Sequence, residues 1–282
     1  MTTLGLLHPG AMGEALGRSF RDTGARVLWA SDGRSAATAA RAAASELDDV
    51  GTLLAMRDAD VIVSICPPEF ALDVAESVAA IGFEGVYLEA NAVSPATAAA
   101  IDTVVRGSGA TFVDGGVIGG PDAPRVFLCG AAADDVAKQF GAPATPVVLD
   151  GPDYAASSLK MVYAGWTKGT TALLFALVAA ADTLGVGDAL AEEWARSQPA
   201  LGPRLARAGS PAAKAWRWSG EMREIAATLA AVGLPAGFHE GAAGVYERLA
   251  PLKDDPDATV DEVVRLVLQG NPDPSNTTEV KR

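Results

Sequence analysis

The sequence is poor in the residues that bind metals and form disulfides. Among 282 residues there are two cysteines, Cys66 and Cys129, and two histidines, His8 and His239. They stand far apart, so no metal-ligand spacing arises and no metal site is expected. Two thiols in a chain of this length, with no secretory leader ahead of the first strand pattern, fit a reducing, cytoplasmic setting. Basic residues are also scarce, with 22 Lys and Arg against 35 Asp and Glu, a net charge of −13. That balance argues against a nucleic-acid or anionic-membrane partner, because no excess of positive charge exists to offset phosphates. The longest apolar run, "TTALLFALVAAA" at 170–181, is too short to span a bilayer and reads as a buried helix. No G-x-S-x-G nucleophile pattern occurs.

What is present is a folded chain, 49% hydrophobic and 20% charged, long enough for one large or two modest domains. Short apolar runs at 3–7, 26–30, 60–66, 85–90 and 111–116 read as strands. Alanine-rich stretches at helical spacing lie between them, at 11–23, 35–45, 69–81 and 95–107. This alternation predicts βαβ units, a mostly parallel, doubly wound α/β sheet of the Rossmann type. Runs at 125–130 and 146–151 add two further strands. At Gly151-Pro152-Asp153 the strand signals stop. A long helix over about 154–184, closed by Gly185, follows, then more helices broken at 198–204, 208–211 and 233–237. The expected domains are therefore 1–151 (α/β, dinucleotide-binding) and 152–270 (all-α), joined by a long interdomain helix, with a frayed polar tail at 271–282.

The first loop carries the first chemical signal. "GLLHPGAMG" at 5–13 stands after a strand and opens a helix, where free N–H groups and a partial positive charge suit a pyrophosphate. The usual fingerprint is G-x-G-x-x-G, and here His8 occupies one glycine position. Gly10 lets the backbone approach phosphates and Gly13 lets the helix pack against the strand. His8 fits if its φ is negative, and Pro9 stiffens the next position. The cofactor loop is thus His8, Pro9, Gly10, Ala11 and Met12. The second strand ends in "WASDGRS" at 29–35. Asp32 favours the ribose of NAD, whereas Arg34 with Ser31 and Ser35 suits a 2′-phosphate. NADP is the favoured cofactor and NAD stays open.

Further along, the motifs together resemble the β-hydroxyacid dehydrogenases and the related 6-phosphogluconate dehydrogenases. "GLLHPGAMG" resembles that group's G-x-I-G-x-G-x-M-G, and "CPP" at 66–68 its loop flanking the cofactor. "EANAVSP" at 89–95 resembles D-x-S-T-x-S-P, "FVDGGVIGG" at 112–120 resembles D-A-P-V-S-G-G, and "GPDYAASSLKMVYAG" at 151–165 resembles G-x-G-x-x-x-K-x-x-N-N. The "HPG" variant and the segment 214–235 are more similar to a branch of NAD(P)-dependent oxidoreductases with its own C-terminal helical domain. The resemblance implies a substrate site in the cleft between the domains and a homodimer formed through the helical one. It implies cofactor contacts from Cys66, Pro67 and Pro68, and a lysine general acid/base, Lys160.

Three positions depart from the pattern. Ile118 replaces the serine of S-G-G, Tyr163-Ala164 replaces the asparagine pair, and Gly220-Glu221 stands where a second lysine is usual. The substrate pocket is therefore rebuilt. Tyr163 and Thr167, at i+3 and i+7 from Lys160, share its helical face, and Tyr163 is a second catalytic candidate. The glycine-rich segment, with Gly116, Val117, Ile118 and Gly119, offers backbone N–H groups to a substrate anion. Asn91 stands beside the cofactor edge, while Lys168 reads as solvated. Trp216, Trp218 and His239 read as helix packing. The expected activity is hydride transfer between a nicotinamide and a small hydroxy or keto acid. Imine reduction on the same scaffold, or cofactor binding without chemistry, are the alternatives.

Overall fold

A computed structural model describes residues 1–269. Eight strands form one sheet in the order β3-β2-β1-β4-β5-β6-β7-β8. The chain runs β1 (Thr3–Leu6), α1 (Ala11–Asp22), β2 (Arg26–Trp29), α2 (Ala36–Ala44), β3 (Asp48–Asp49), β4 (Val61–Ser64), α3 (Ala71–Ala80), β5 (Val86–Glu89), α4 (Pro95–Gly107), β6 (Thr111–Ile118), β7 (Arg125–Cys129), α5 (Ala133–Ala137) and β8 (Thr145–Val148). All neighbours pair in parallel except β6 and β7, which are antiparallel. Helices cover both faces, so Leu4, Leu6, Val27, Ile62, Val63, Tyr87 and Leu88 are buried, as a doubly wound sheet requires. Strand β3 was not expected from sequence. It is two acidic residues at the sheet edge, too short and too polar to give a period-2 pattern.

The strand order reverses at β1. From β1 the chain builds outwards through β2 and β3, then returns to place β4 on the other side. Loops leaving the carboxyl ends of β1 and β4 diverge there, which is where ligands bind in open α/β sheets.

After β8 comes α6 (Ala155–Thr183), then α7 (Gly187–Ser197), α8 (Leu201–Leu205), α9 (Gly209–Ala212), α10 (Ala215–Ala231), α11 (Gly237–Arg248) and α12 (Val260–Gln269). No strand follows β8 among the described residues. The breaks expected at 198–204 and 208–211 hold the short helices α8 and α9. The end of α6 follows from Gly185. With φ +70 there, Gly185 N–H donates to Asp182 O and Val186 N–H to Ala181 O, the paired bonds of a Schellman cap.

The chain divides into two compact units, Met1–Tyr163 and Ala164–Arg282, so the division falls inside α6. Within the first unit, the opening turns of α6 pack on β6. A Cβ on Gly116 would lie 2.6 Å from Ala156 O and 3.2 Å from Lys160 Cβ. Glycine there is what allows the helix to lie so close to the strand. Among the described residues, no helix is long and apolar enough to cross a membrane. The tail expected at 271–282 lies outside the described residues.

Candidate active site

In the first unit the expected cofactor residues lie at the carboxyl ends of four strands: 8–12 after β1, Ser31 and Arg34 after β2, 66–68 after β4 and Asn91 after β5. The β1 loop is shaped by its backbone. Gly10 N–H donates to His8 O at 2.8 Å, and Gly10 is the N-cap of α1 in an extended conformation. No side chain caps α1, so its first-turn N–H groups face outwards as an anion site. The two glycines do different work. A Cβ on Gly13 would lie 2.1 Å from His8 O, whereas a Cβ on Gly10 meets nothing within 4 Å. Gly13 closes the turn against the helix, and Gly10 keeps open the space above it.

His8 stands outside the left-handed region, so it replaces the fingerprint glycine without backbone strain. Burial, and then the charge of Arg34, push its pKa down to about 4. The ring is neutral near pH 7, and its buried Nδ1 has no partner among the described residues. Arg34 is exposed, in a turn closed by Arg34 N–H to Ser31 O at 3.0 Å. The Gly51 N–H, and then the neighbouring Ser31 side chain, hold the Asp49 carboxyl below its usual range. Ser35 caps α2, its side chain accepting from Thr38 N–H. Ala11 is exposed, Met12 half-buried and Pro9 buried.

Beneath the β4 and β5 ends lies a buried polar network. Asn91 is 2% exposed. Its Oδ1 accepts from Cys66 N–H and its Nδ2 donates to Ser64 Oγ at 3.0 Å. Its N–H donates to Glu89 Oε1 at 2.9 Å. The Asn91 side chain thus ties the Cys66-Pro67-Pro68 loop to the end of β5. Glu89 is fully buried, and burial raises its pKa to about 8, against the bonds from Asn91 and with help from Asp114. Burial and the Glu89 charge push the Cys66 thiol up to about 12, so it is no nucleophile near neutrality. Pro68 is buried at the start of a single 3₁₀ turn, with Pro67 half-buried before it.

Most of the glycine-rich segment expected to offer N–H groups to an anion lies in a strand. Gly116, Val117 and Ile118 lie inside β6, paired with Phe127, Val126 and Arg125 of β7. Only Gly119, exposed at φ +103, belongs to the turn. The reason is the hairpin partner β7, whose apolar run draws the glycines into a strand. Strand β5 ends at Glu89, opposite Asp114, so residues 115–118 run past it with β7 alone beside them. The Val117 carbonyl accepts from Lys160 Nζ at 2.6 Å. Tyr163, one turn on, is exposed.

Two residues that sequence reasoning left aside organise this arrangement. Asp114, buried in β6, accepts from Ser157 N–H at 2.9 Å and Ser157 Oγ at 2.5 Å, and from Ala156 N–H. It caps α6 from another element and so places Lys160. Its pKa is nonetheless raised, because burial outweighs those bonds. The available signal was a lone aspartate in an otherwise apolar strand. Arg41 of α2 is the second. Its Nε donates to Pro9 O at 3.2 Å and its Nη2 to Thr38 Oγ1 at 3.3 Å.

In the second unit, Thr167 is half-buried and its carbonyl accepts from Arg204 Nη2 at 3.1 Å. Lys168, expected to be solvated, is instead ion-paired with Glu221 of α10 and lies 5.0 Å from the Trp218 ring centroid. Helix α10 brings a carboxylate and an indole against α6, a tertiary contact that spacing along α6 could not reveal. Trp218 meets the Tyr246 ring edge-on. His239 is buried with Nε2 3.1 Å from Gly165 O.

Comparison with known proteins assigns this architecture. A conserved protein of unknown function, whose structure was noted to resemble 3-hydroxyacid dehydrogenases, superposes with a TM-score of 0.64 at 24% identity, covering 89% of this chain and 97% of that one. Mycobacterium tuberculosis 3-hydroxyisobutyrate dehydrogenase with L-serine gives 0.65 at 16%, covering 95% and 99%. The imine reductase of Myxococcus stipitatus in complex with NADP+ gives 0.52 at 18%, covering 95% and 100%. The chain has the two-domain fold of the hydroxyacid dehydrogenases. Within it, residues 181–249 match a family model described as a domain of unknown function, DUF1932. An uncharacterised 28.5 kDa protein in the 7S RNA 5′ region of Methanothermus fervidus is 31% identical over 140 residues, 49% of this chain. The chain spans about half of that relative's length, 54%.

Two predictions follow from this geometry. Gly10→Ala fits the open space at an ordinary φ, so its thermal unfolding midpoint stays close to wild type. Gly13→Ala must displace the His8 carbonyl and melts lower, by about 1–3 kcal/mol of stability. A Gly10→Ala variant melting as low as Gly13→Ala refutes the assignment. Glu89 binds its proton more tightly folded than unfolded. Its stabilising contribution is complete below the ordinary pKa of 4.5 and is lost as pH rises through about 8. Glu89→Gln removes that dependence, so its unfolding midpoint gains on wild type between pH 5 and 8. A difference constant with pH contradicts the buried proton.

Proposed function

We propose that the chain is an NAD(P)-dependent oxidoreductase acting on a small polar substrate of the hydroxy-acid or keto-acid type. The observation that carries this reading is the β1 loop. An uncapped helix N-terminus faces open space over Gly10 at the point where the strand order reverses. A dinucleotide diphosphate fits there, held by the backbone of residues 9–12, with Arg34 towards the ribose. The 66–68 loop, fixed by Asn91, borders the nicotinamide end. A bound nicotinamide supplies or accepts the hydride. A site of this kind also supports a reading in which the chain holds cofactor without turnover.

Lys160 moves the proton. Its ammonium, steadied by the Val117 carbonyl, gives a proton to the substrate oxygen during reduction, and its amine removes one during oxidation. Tyr163, on the next turn and open to solvent, adds a hydroxyl donor. Gly116, Val117 and Ile118 at the end of β6, Gly119 after it, and Thr167, on the helix of Lys160, are the substrate-side candidates. The Tyr163 hydroxyl, together with the likeness to an imine reductase, supports imines as the second substrate class. Keto acids and cyclic imines assayed in parallel with NADPH and NADH separate the two.

Lys160→Met is expected to lower turnover by about 10²-fold or more while cofactor affinity stays near wild type. Undiminished turnover removes Lys160 from the chemistry.

The second unit supports a homodimer. Trp166 (74% exposed), Leu173, Leu177 and Leu184 project from one face around the C-terminal part of α6 and its end, a spacing suited to helix–helix association. Light scattering is expected to give twice the chain mass, and Trp166→Glu to give the single chain. A wild-type monomer at micromolar concentration overturns this.

A further inference from the structure

Resting on the cofactor reading above, the geometry points to Arg41 as a second guanidinium of the dinucleotide site, one that selects a phosphorylated ribose. Arg41 lies against the β1 loop, and the charge of Arg34 reaches it. The Arg34 charge acts on the His8 ring, and Arg41 Nε bonds the carbonyl of Pro9. Neither arginine has a carboxylate within ion-pair distance among the described residues. Arg18, Arg21, Arg26 and Arg106, in the same unit, pair with Glu14, Glu46, Asp48 and Asp102. Arg57 and Arg125 also lack a carboxylate among the described residues but stand elsewhere, beside Gly82 and over the Phe127 ring. In a chain of net charge −13, two unpaired guanidinium groups beside one loop are the features of an anion site.

Arg41 is suited to that work by its place in the fold. It is half-buried in the last turn of α2, and helix side chains lean towards the helix N-terminus. Its stem therefore runs back along α2, towards the turn that carries Arg34. Nε–H goes to Pro9 O and one Nη2 hydrogen to Thr38 Oγ1. The Nη1 hydrogens and the second Nη2 hydrogen have no protein partner among the described residues. Two bonds fix the plane of the fork, and the remaining donors are left for a ligand. The β2–α2 turn is where the adenosine ribose is read, so the anion that fits is its 2′-phosphate. Ser31 stands beside the Asp49 carboxylate, which leaves the arginines as the phosphate-binding side.

The test is fluorescence titration of the full chain with NADPH and with NADH, for wild type, Arg41→Met and Arg41→Lys. Arg41→Met keeps the stem and removes the donors. It is expected to raise the Kd for NADPH about tenfold or more, while the Kd for NADH changes less than about twofold. Arg41→Lys, which keeps charge but lacks the fork, falls between. If Arg41→Met melts before titration, the NADPH-to-NADH ratio of Arg41→Lys carries the same comparison. Unchanged NADPH affinity overturns the inference. Equal weakening for both dinucleotides also overturns it, and would make Arg41 a brace of the loop alone. A wild-type chain that binds neither dinucleotide overturns the cofactor reading itself.

Discussion

Everything at the candidate site depends on one buried carboxylate joining sheet to helix. Asp114 stands where β6 passes the end of β5, and it accepts the first free N–H groups of α6. Burying a carboxylate is costly, and its raised pKa records that cost. The bonds it receives, and the partial positive charge of a long helix N-terminus, offset much of it. The consequence is geometric. With the first turn of α6 held against β6, and Gly116 clearing the way, Lys160 has a short path to the Val117 carbonyl.

A second constraint acts through Asn91. The loops after β4 and β5 have no regular pairing to fix them. One amide side chain bonding to Cys66 and Ser64, with its own N–H on Glu89, supplies three connections in a place water does not reach. Such buried networks hold a loop in one conformation, although Glu89 Oε2 has no hydrogen-bond partner among the described residues. Asn91 thereby holds the Cys66-Pro67-Pro68 loop against the end of β5.

What could be read from sequence was local. The β1 loop, its glycines and the strand–helix alternation are written in consecutive residues, and the long helix over 154–184 ends on its glycine as the pattern implies. What could not be read required a partner from elsewhere in the chain. Asp114 and Ser157 are separated by 43 positions, Lys168 and Glu221 by 53, and neither pair leaves a periodic trace. Gly116 was legible as the end of a strand, but the helix packed against it, which makes the missing side chain necessary, was not. Strand β3 was invisible because two acidic residues carry no alternation.

The ionisable groups under the β1, β4 and β5 ends have one property in common. Burial holds His8 down to about 4, Glu89 up to about 8 and Cys66 up to about 12. From about pH 5 to 7 all three are uncharged, so the floor of the site is electrically silent. The field above it comes from the first turn of α1 and the guanidinium groups at its side. A ligand approaching this edge of the sheet meets no charge from these three groups in mildly acidic or in neutral solution.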